Sequence, residues 1–181
     1  MQVAAIATDV RLNRVLPPEE DVCLCIRLDP KTPVSPWSAQ HLAALIDRCR
    51  SAKAVPVEDA DRRLAVYVTR AAQSAGADAD SPPILAGNSV HADWAIARRL
   101  LPTLSRTLHY RHLDVTSFKL AWLAGGETAF AKENPEAVRA WFPTARLEGG
   151  AQHDAYYDVQ ASIAEMAFYR ARLLRATPPG R

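Results

Sequence analysis

The stretch "HDAYYD" contains a histidine and an aspartate, His153 and Asp158, at a spacing that allows them to share chemistry. Five residues along a helix turn through ~500°, so the two side chains do not share a face if both are helical. The preceding "EGGAQ" is typical of a loop, which places His153 on that loop and Asp158 on the helix that follows. Both side chains can then reach one point, where a histidine takes a proton from water and a carboxylate holds Mg²⁺.

A second interpretation of this pair involves no chemistry. A surface histidine before an acidic first helical turn is ordinary, because the helix dipole favours negative charge there. The spacing by itself favours this interpretation. Two further acids beside helix starts keep the question open, namely Asp93 in "GNSVHADW" and Asp114 in "HYRHLDVT". The sequence contains no phosphate-cradling glycine loop, G-x-S-x-G elbow or H-E-x-x-H motif, so the commonest nucleotide, hydrolase and zinc-protease patterns do not apply.

Around these positions the hydrophobic pattern predicts an α/β layer fold with a mixed sheet flanked by helices. "VAAIATDV" and "DVCLCIRLD" predict an antiparallel strand pair, and "ILAG" and "TLHYRHLDV" predict two further strands that alternate with helices. One helix, "VHADWAIARRLL", is expected to be capped by Asn88 or Ser89 and ended by Pro102. The last helix carries apolar residues near one predicted face: Ala155, Val159, Ile163, Met166, Ala167 and Leu173.

The composition is that of a globular protein, with 181 residues of which 49% are hydrophobic. No apolar run approaches the length of a membrane span, and no signal peptide is predicted at the N-terminus. A net charge of +2 does not by itself indicate a nucleic-acid partner, although a binder of short strands needs only a local basic pocket. The three cysteines, Cys23, Cys25 and Cys49, lack metal-ligand spacing and are expected to be reduced intracellular thiols.

Several segments together resemble the oligoribonucleases, which are DEDDh-type 3′-to-5′ exoribonucleases with an RNase H-like fold. "GNSVHADW" is similar to their "GNS-x-x-x-D", and "LHYRHLDVTSFK" to their "FHYRxLDVSTxKE". "HDAYYDVQASIAEMAFYR" resembles "HxAxxDIxESIAELxYYR". "ATDVRLN" and "PWSAQHLAALIDRCRSA" provide weaker matches in the same order. The resemblance covers nearly the whole chain, and five motifs in the right order identify the family better than any one of them.

The resemblance implies an RNase H-like exonuclease domain over residues 1–181 that cleaves very short RNA to 5′-mononucleotides. Family activity requires four carboxylates, one histidine and two Mg²⁺ or Mn²⁺ ions. The matching residues are Asp93 and Asp158 as the third and fourth acids and His153 as the general base. Further matches lie beside the RNA or its 5′-phosphate: Asn88, Ser89, Arg111 and Thr116, with Tyr110 contributed by the other subunit of a homodimer.

The chain departs from the family at its first strand. The D-x-E motif that carries the first two acids has no counterpart, and Met1 falls where the second family strand begins. A two-metal site offsets about four positive charges with its acids and sets the metals ~3.5–4 Å apart. Because Asp93 and Asp158 supply two negative charges, we expect weak metal binding and turnover reduced by orders of magnitude in the chain as given.

Two explanations follow from this departure. A segment upstream of Met1 has been lost, and the parent protein is an active exoribonuclease; or the protein has kept the scaffold and lost catalysis, serving as an RNA-binding or structural subunit. In a hybrid of the two, a partner donates the missing strand. The family resemblance leaves the location within the cell, cytoplasmic or mitochondrial, undecided.

A second departure is an enlarged insertion over residues 122–150, followed at the chain end by a tail over 176–181 that is expected to be flexible. The insertion could be a lid or a partner surface. Its aromatic residues could dock a partner, but core or local packing is the preferred interpretation. They are Trp122, Phe130, Trp141 and Phe142.

Overall fold

A computed structural model of the protein describes residues 1–77, 81–147 and 154–173. Over these residues the strands are β1 (Gln2–Ala5), β2 (Val22–Cys25), β3 (Leu85–Gly87) and β4 (His112–Asp114). The helices are α1 (Pro36–His41), α2 (Ala43–Arg50), α3 (Val57–Ser74), α4 (Val90–Leu100), α5 (Pro102–Thr107), α6 (Val115–Ala124), α7 (Pro135–Trp141) and α8 (Ala155–Leu173). No helix within these ranges is long and apolar enough to cross a membrane. The tail over 176–181 lies outside the described residues.

The four strands pair two by two. In the first pair, β1 runs antiparallel to β2 with Gln2 opposite Cys25, so the predicted hairpin is confirmed. In the second pair, β3 runs parallel to β4 with Leu85 opposite His112. Because parallel strands need a crossover, α4 and α5 lie between β3 and β4 in the chain. The predicted α/β class is confirmed. The predicted single mixed sheet is not found among the described residues, where the antiparallel and the parallel pair form separate two-stranded sheets.

Helix α8 packs against strands of both pairs and also against α6 and α7. Because it is covered from several directions, its buried residues lie around much of the helix: Tyr157, Gln160, Ala161, Ala164, Glu165, Met166 and Tyr169. The prediction of a single apolar face is therefore wrong. Of that predicted set Met166 is buried, whereas the other five residues are only partly so.

Aromatic side chains between α6 and α8 pack against α8. Phe130 and Phe142 are buried in the same hydrophobic cluster as the residues of α8. The rings of Trp122 and Trp141 meet the ring of Phe168 edge-on, with centroids 5.8 and 5.6 Å apart. Core and local packing is thus confirmed for all four aromatic residues. The described part of the insertion is anchored to the last helix.

A buried ion pair joins the connection between β1 and β2 to α8. The guanidinium of Arg14 contacts the carboxylate of Asp21, and both side chains are almost fully buried. The hydroxyl of Tyr156 donates to Asp21 Oδ2 at 2.7 Å. Burial, reinforced by the Asp21 carboxylate, raises the pKa of Tyr156 to about 12. The tyrosine therefore remains a hydrogen-bond donor at neutral pH and helps to fix the start of α8.

Helix α5 is an element that the sequence pattern missed. Pro102 was expected only to end α4, but it also begins α5, a position where its missing N–H costs nothing. The strand predicted over "TLHYRHLDV" is correspondingly shorter. Asp61 of α3, which is 6% exposed, accepts hydrogen bonds from the backbone N–H groups of Thr103 at 3.0 Å and Leu104 at 2.8 Å. This carboxylate thus fixes the start of α5 against α3.

The bonds at Asp61 predict a pH-dependent contribution to stability. Burial acts to raise the pKa of Asp61, but the bonds from Leu104 and Thr103 outweigh it and hold the pKa below its ordinary value. We expect Asp61→Ala to lower the free energy of unfolding at pH 7 by about 1–3 kcal/mol, because two amide groups lose their acceptor. Since the folded pKa is lowered, this contribution is present above pH ~4 and is lost as the pH falls through the folded pKa. Urea unfolding at pH 7, 5 and 3 measures the difference, and a difference that stays constant at pH 3 would contradict the assignment.

Candidate active site

The turn that follows β3 brings together several of the residues predicted to form the site. Ser89 has a left-handed backbone, with φ 52° and ψ 39°, which is uncommon for a residue other than glycine. Its N–H donates to Asp114 Oδ1 and to Thr116 Oγ1, each at 2.9 Å. Asp114 Oδ1 also accepts from the N–H of Thr116 and so caps α6. Asp114 therefore has a structural role, joining the ends of the two parallel strands.

Asn88 or Ser89 was expected to cap α4. Ser89 does occupy the N-cap position, but neither its side chain nor that of Asn88 forms the expected capping hydrogen bond. The Asn88 side chain turns towards α8 instead. Its Nδ2 donates to Glu165 Oε2 at 2.9 Å, and its Oδ1 accepts from Ser162 Oγ at 2.5 Å. Ser162 Oγ also lies 2.8 Å from the backbone oxygen of Asp158. The turn after β3 is thereby connected to α8 one helical turn beyond Asp158.

The start of α8, where Asp158 lies, is held against β1 by Gln2. The Gln2 side chain donates to Asp154 Oδ2 at 3.1 Å and accepts from the N–H of Ala155 at 3.1 Å. Residues four apart on a helix lie on one side of it. Asp154, Asp158 and Ser162 therefore lie along the side of α8 that runs from β1 to the turn after β3. Asp158, whose side chain is exposed, lies between these two contacts.

Asp93 lies in the first turn of α4, four residues after Ser89. Its side chain remains solvent-exposed, although it follows the buried Val90 by three residues and precedes the buried Ala97 by four. Desolvation by the surrounding protein atoms raises the pKa of Asp93, although its own backbone N–H and the nearby His91 act in the opposite direction. A carboxyl group whose pKa is raised by desolvation gains from a cation placed beside it.

Arg111 and Tyr110 lie away from the turn that holds Thr116. Both precede β4, whereas Thr116 follows it, and the intervening strand separates the two ends by ~10 Å. Tyr110 is 72% exposed, and the guanidinium of Arg111 lies over its ring, 5.4 Å from the centroid. The structure thus joins Asn88, Ser89 and Thr116 with the backbone of Asp158, and places Tyr110 with Arg111 as a separate exposed pair.

The residues available for a divalent metal are few in the described ranges. His153 lies outside them. Within 1–77, 81–147 and 154–173, no group of three or more histidine, cysteine or acidic side chains is placed to hold a metal ion. Mg²⁺ needs six oxygen ligands in near-octahedral geometry, so Asp93 and Asp158 together supply only part of a metal site.

An α/β scaffold with acids at the starts of two helices around a strained turn defines a candidate hydrolase site. Comparison with known proteins identifies the family more specifically. No family model matches the chain. It is 34% identical over 151 residues to an oligoribonuclease of Coxiella burnetii, covering 79% of this chain and 68% of that protein. It is 29% identical over 179 residues to an oligoribonuclease of Shewanella loihica, covering 97% and 86%. A probable oligoribonuclease of Schizosaccharomyces pombe is 30% identical over 176 residues, covering 94% and 60%. The chain belongs to the oligoribonuclease family, and its fold class is that of the RNase H-like exonucleases.

Sequence reasoning did not identify three residues that contribute contacts to this region: Gln2, Asp154 and Glu165. Glu165 gave the clearest signal, because it is a charged residue inside the apolar run Ile163–Ala167. The other two are ordinary polar residues at the ends of elements. Their importance arises from contacts between residues more than 150 positions apart, which no local pattern indicates.

The capping bonds of Asp114 lead to a prediction about stability. We expect Asp114→Ala to lower the free energy of unfolding by about 0.5–2 kcal/mol, because α6 loses its N-terminal acceptor. Asp114→Asn is the matched control. Asparagine is as good a cap as aspartate, so the loss should be only a few tenths of a kcal/mol. Equal losses in the two variants, measured by urea unfolding at pH 7, would show that the charge of Asp114 rather than its capping bonds is what matters.

Proposed function

We propose that this protein is a 3′-to-5′ exoribonuclease that hydrolyses very short RNA to 5′-mononucleotides. The observation that carries the proposal is the hydrogen-bonded junction between the turn after β3 and α8. It joins the helix that carries Asp93 to the helix that carries Asp158, the two acids that match the family motif. In this function His153 takes a proton from the attacking water, as an imidazole does near neutral pH.

Asp93 and Asp158 would hold Mg²⁺ or Mn²⁺ in this site through their carboxylate oxygens. A bound metal supplies Lewis-acid stabilisation of the charge that develops on the phosphate. The described residues provide two such ligand groups, and the remaining positions would be taken by water, by the RNA phosphate or by groups beyond the described residues. Asn88, Ser89, Arg111 and Thr116 would lie beside the RNA. Arg111 is suited to a phosphate, because its guanidinium is a fixed fork of donors.

The function is tested with a 5′-phosphorylated dinucleotide and Mn²⁺, by following release of mononucleotides chromatographically. We expect His153→Ala to lower the rate by about 10²–10⁴-fold, the usual contribution of a general base. Asp93→Asn and Asp158→Asn should each abolish most of the rate of the unmodified protein, because each removes a negative charge from the metal site. Glu136→Gln, an exposed acid on α7, is the matched control and should leave the rate unchanged. A rate that is indifferent to His153→Ala would overturn the proposed mechanism.

The second candidate function is an RNA-binding or structural subunit without catalysis. It is favoured by the lack of a cluster of three metal-ligating groups among the described residues. The same dinucleotide distinguishes the two functions. Binding measured by calorimetry in the presence of Mn²⁺, together with no mononucleotide release over hours, supports the second function. Release that requires Asp158 supports the first.

A homodimer is part of the proposal, since the exposed pair of Tyr110 and Arg111 is suited to reach into the site of a second copy. We expect Tyr110→Ala and Asp158→Asn to be weak or inactive separately. In a co-refolded equimolar mixture, a heterodimer has one site with Asp158 from one chain and Tyr110 from the other. Random pairing then restores about a quarter of the unmodified rate, measured with the dinucleotide. A mixture that shows only the average of its two components would mean that Tyr110 serves its own chain or none.

A further inference from the structure

We propose that Glu165 is a positioning residue, which orients the amide of Asn88 and thereby fixes the turn between β3 and α4. The proposal rests on the function proposed above insofar as this turn belongs to the active site. Glu165 is 0% exposed, and its two oxygens accept one hydrogen bond each, from Asn88 Nδ2 at 2.9 Å and from the hydroxyl of Tyr169 at 3.2 Å.

The environment of Glu165 is unusual for a buried acid. Among the described residues no arginine, lysine or histidine forms an ion pair with it. Burying an acid without a cationic partner is unfavourable, and an apolar residue on α8 would stabilise this core better. Its two partners are neutral donors, of which Tyr169 OH itself accepts from the N–H of Phe130 at 3.2 Å. The carboxyl group therefore acts here as a double acceptor, a role that fixes the direction of both neighbours.

For Asn88 this role decides which way the amide faces. An amide has one donor end and one acceptor end, whereas a carboxylate only accepts. The donor end of Asn88 must therefore face Glu165, and its acceptor end faces the hydroxyl of Ser162. Both ends of the side chain are engaged by α8. The structure thus uses Asn88 to anchor the turn to the last helix.

The turn between β3 and α4 is strained. The contact of Asn88 with α8 is important because it helps to hold this strained turn in place. Ser89 has a positive φ, and such a conformation persists only when the surroundings hold it in place. Asp114 and Thr116 hold the turn from β4 and α6 through the N–H of Ser89. Asn88 holds it from α8. Without the bond to Glu165, Ser162 alone holds Asn88 against α8, and α4 with Asp93 is held less firmly relative to Asp158.

A charge swap tests this arrangement. Asn88→Asp places two carboxyl groups against each other, and we expect kcat/KM for the dinucleotide to fall ~100-fold as the turn moves. Glu165→Gln should lower kcat/KM measurably but less than Asn88→Asp, since its bonds are kept only if the Asn88 amide reverses and donates to Ser162 Oγ. The double variant combines Asn88→Asp with Glu165→Gln. Its carboxylate at position 88 accepts from the amide nitrogen at position 165 and from the hydroxyl of Ser162. Its amide oxygen at position 165 accepts from the hydroxyl of Tyr169. Every bond is restored, so kcat/KM should return to within about tenfold of the unmodified protein.

Tyr169→Phe is the matched control, because it removes the other hydrogen bond of the same buried carboxyl group. We expect it to lower the urea midpoint while kcat/KM stays near its original value. A fall in kcat/KM as large as that of Asn88→Asp would mean that Glu165 serves stability only. Failure of Glu165→Gln to restore kcat/KM in the double variant, with stability restored, would mean that Asn88 acts on the RNA directly. Either result overturns the proposal.

A spectroscopic measurement separates this inference from the proposed function. The backbone amide signal of Thr116 in a ¹H–¹⁵N spectrum reports on the turn without any substrate, because its N–H and that of Ser89 share the acceptor Asp114 Oδ1. It should shift in Asn88→Asp, return in the double variant and remain in place in Tyr169→Phe. If the unmodified protein does not hydrolyse the dinucleotide, the proposed function fails, but this pattern still decides whether Glu165 positions the turn. An unshifted signal in Asn88→Asp would overturn the positioning role.

Discussion

The contacts of α8 with both strand pairs are the constraint on which the rest of the structure depends. Strands β1 and β3 belong to separate sheets, so among the described residues no ladder of backbone hydrogen bonds joins the two strand pairs. Helix α8 connects the two strand pairs through side-chain hydrogen bonds, with Gln2 bonded to its start and Asn88 bonded to its middle. Between these two contacts its buried residues fill the core. A shift of α8 would therefore loosen both sheets together.

The same constraint determines the geometry of the site. Asp158 lies on the part of α8 that runs between the two sheets, and Asp93 lies on the helix that starts at the turn after β3. Their relative placement depends on the bonds of Asn88 to Ser162 and Glu165. A site built in this way is sensitive to small changes in packing, because its two halves meet through a few polar side chains.

The segment between α6 and α8 supports α8 from its other side. Phe130, Trp141 and Phe142 pack around Phe168 and Tyr169, which gives the helix a wall of aromatic residues. The N–H of Phe130 reaches the hydroxyl of Tyr169, and this hydroxyl in turn reaches Glu165. This segment is thus connected to the turn after β3 by three hydrogen bonds in series. Its described part is a structural support for α8 as well as an addition to the surface.

Local sequence patterns predicted the secondary-structure elements whose formation depends on residues close together in the chain. The antiparallel pair of β1 and β2 and the helix α4 followed from periodicity and turn residues, and motif order identified the family. Only the tertiary structure decided which residues of α8 are buried, why the side chains of Asn88 and Ser89 form no capping bond at α4, and that Glu165 contacts the turn. Burial of α8 depends on two other helices and two sheets at once, and the bonds of Asn88 cross more than 70 residues of chain. Such contacts are determined by three-dimensional packing, which a periodic pattern of apolar and polar residues does not specify.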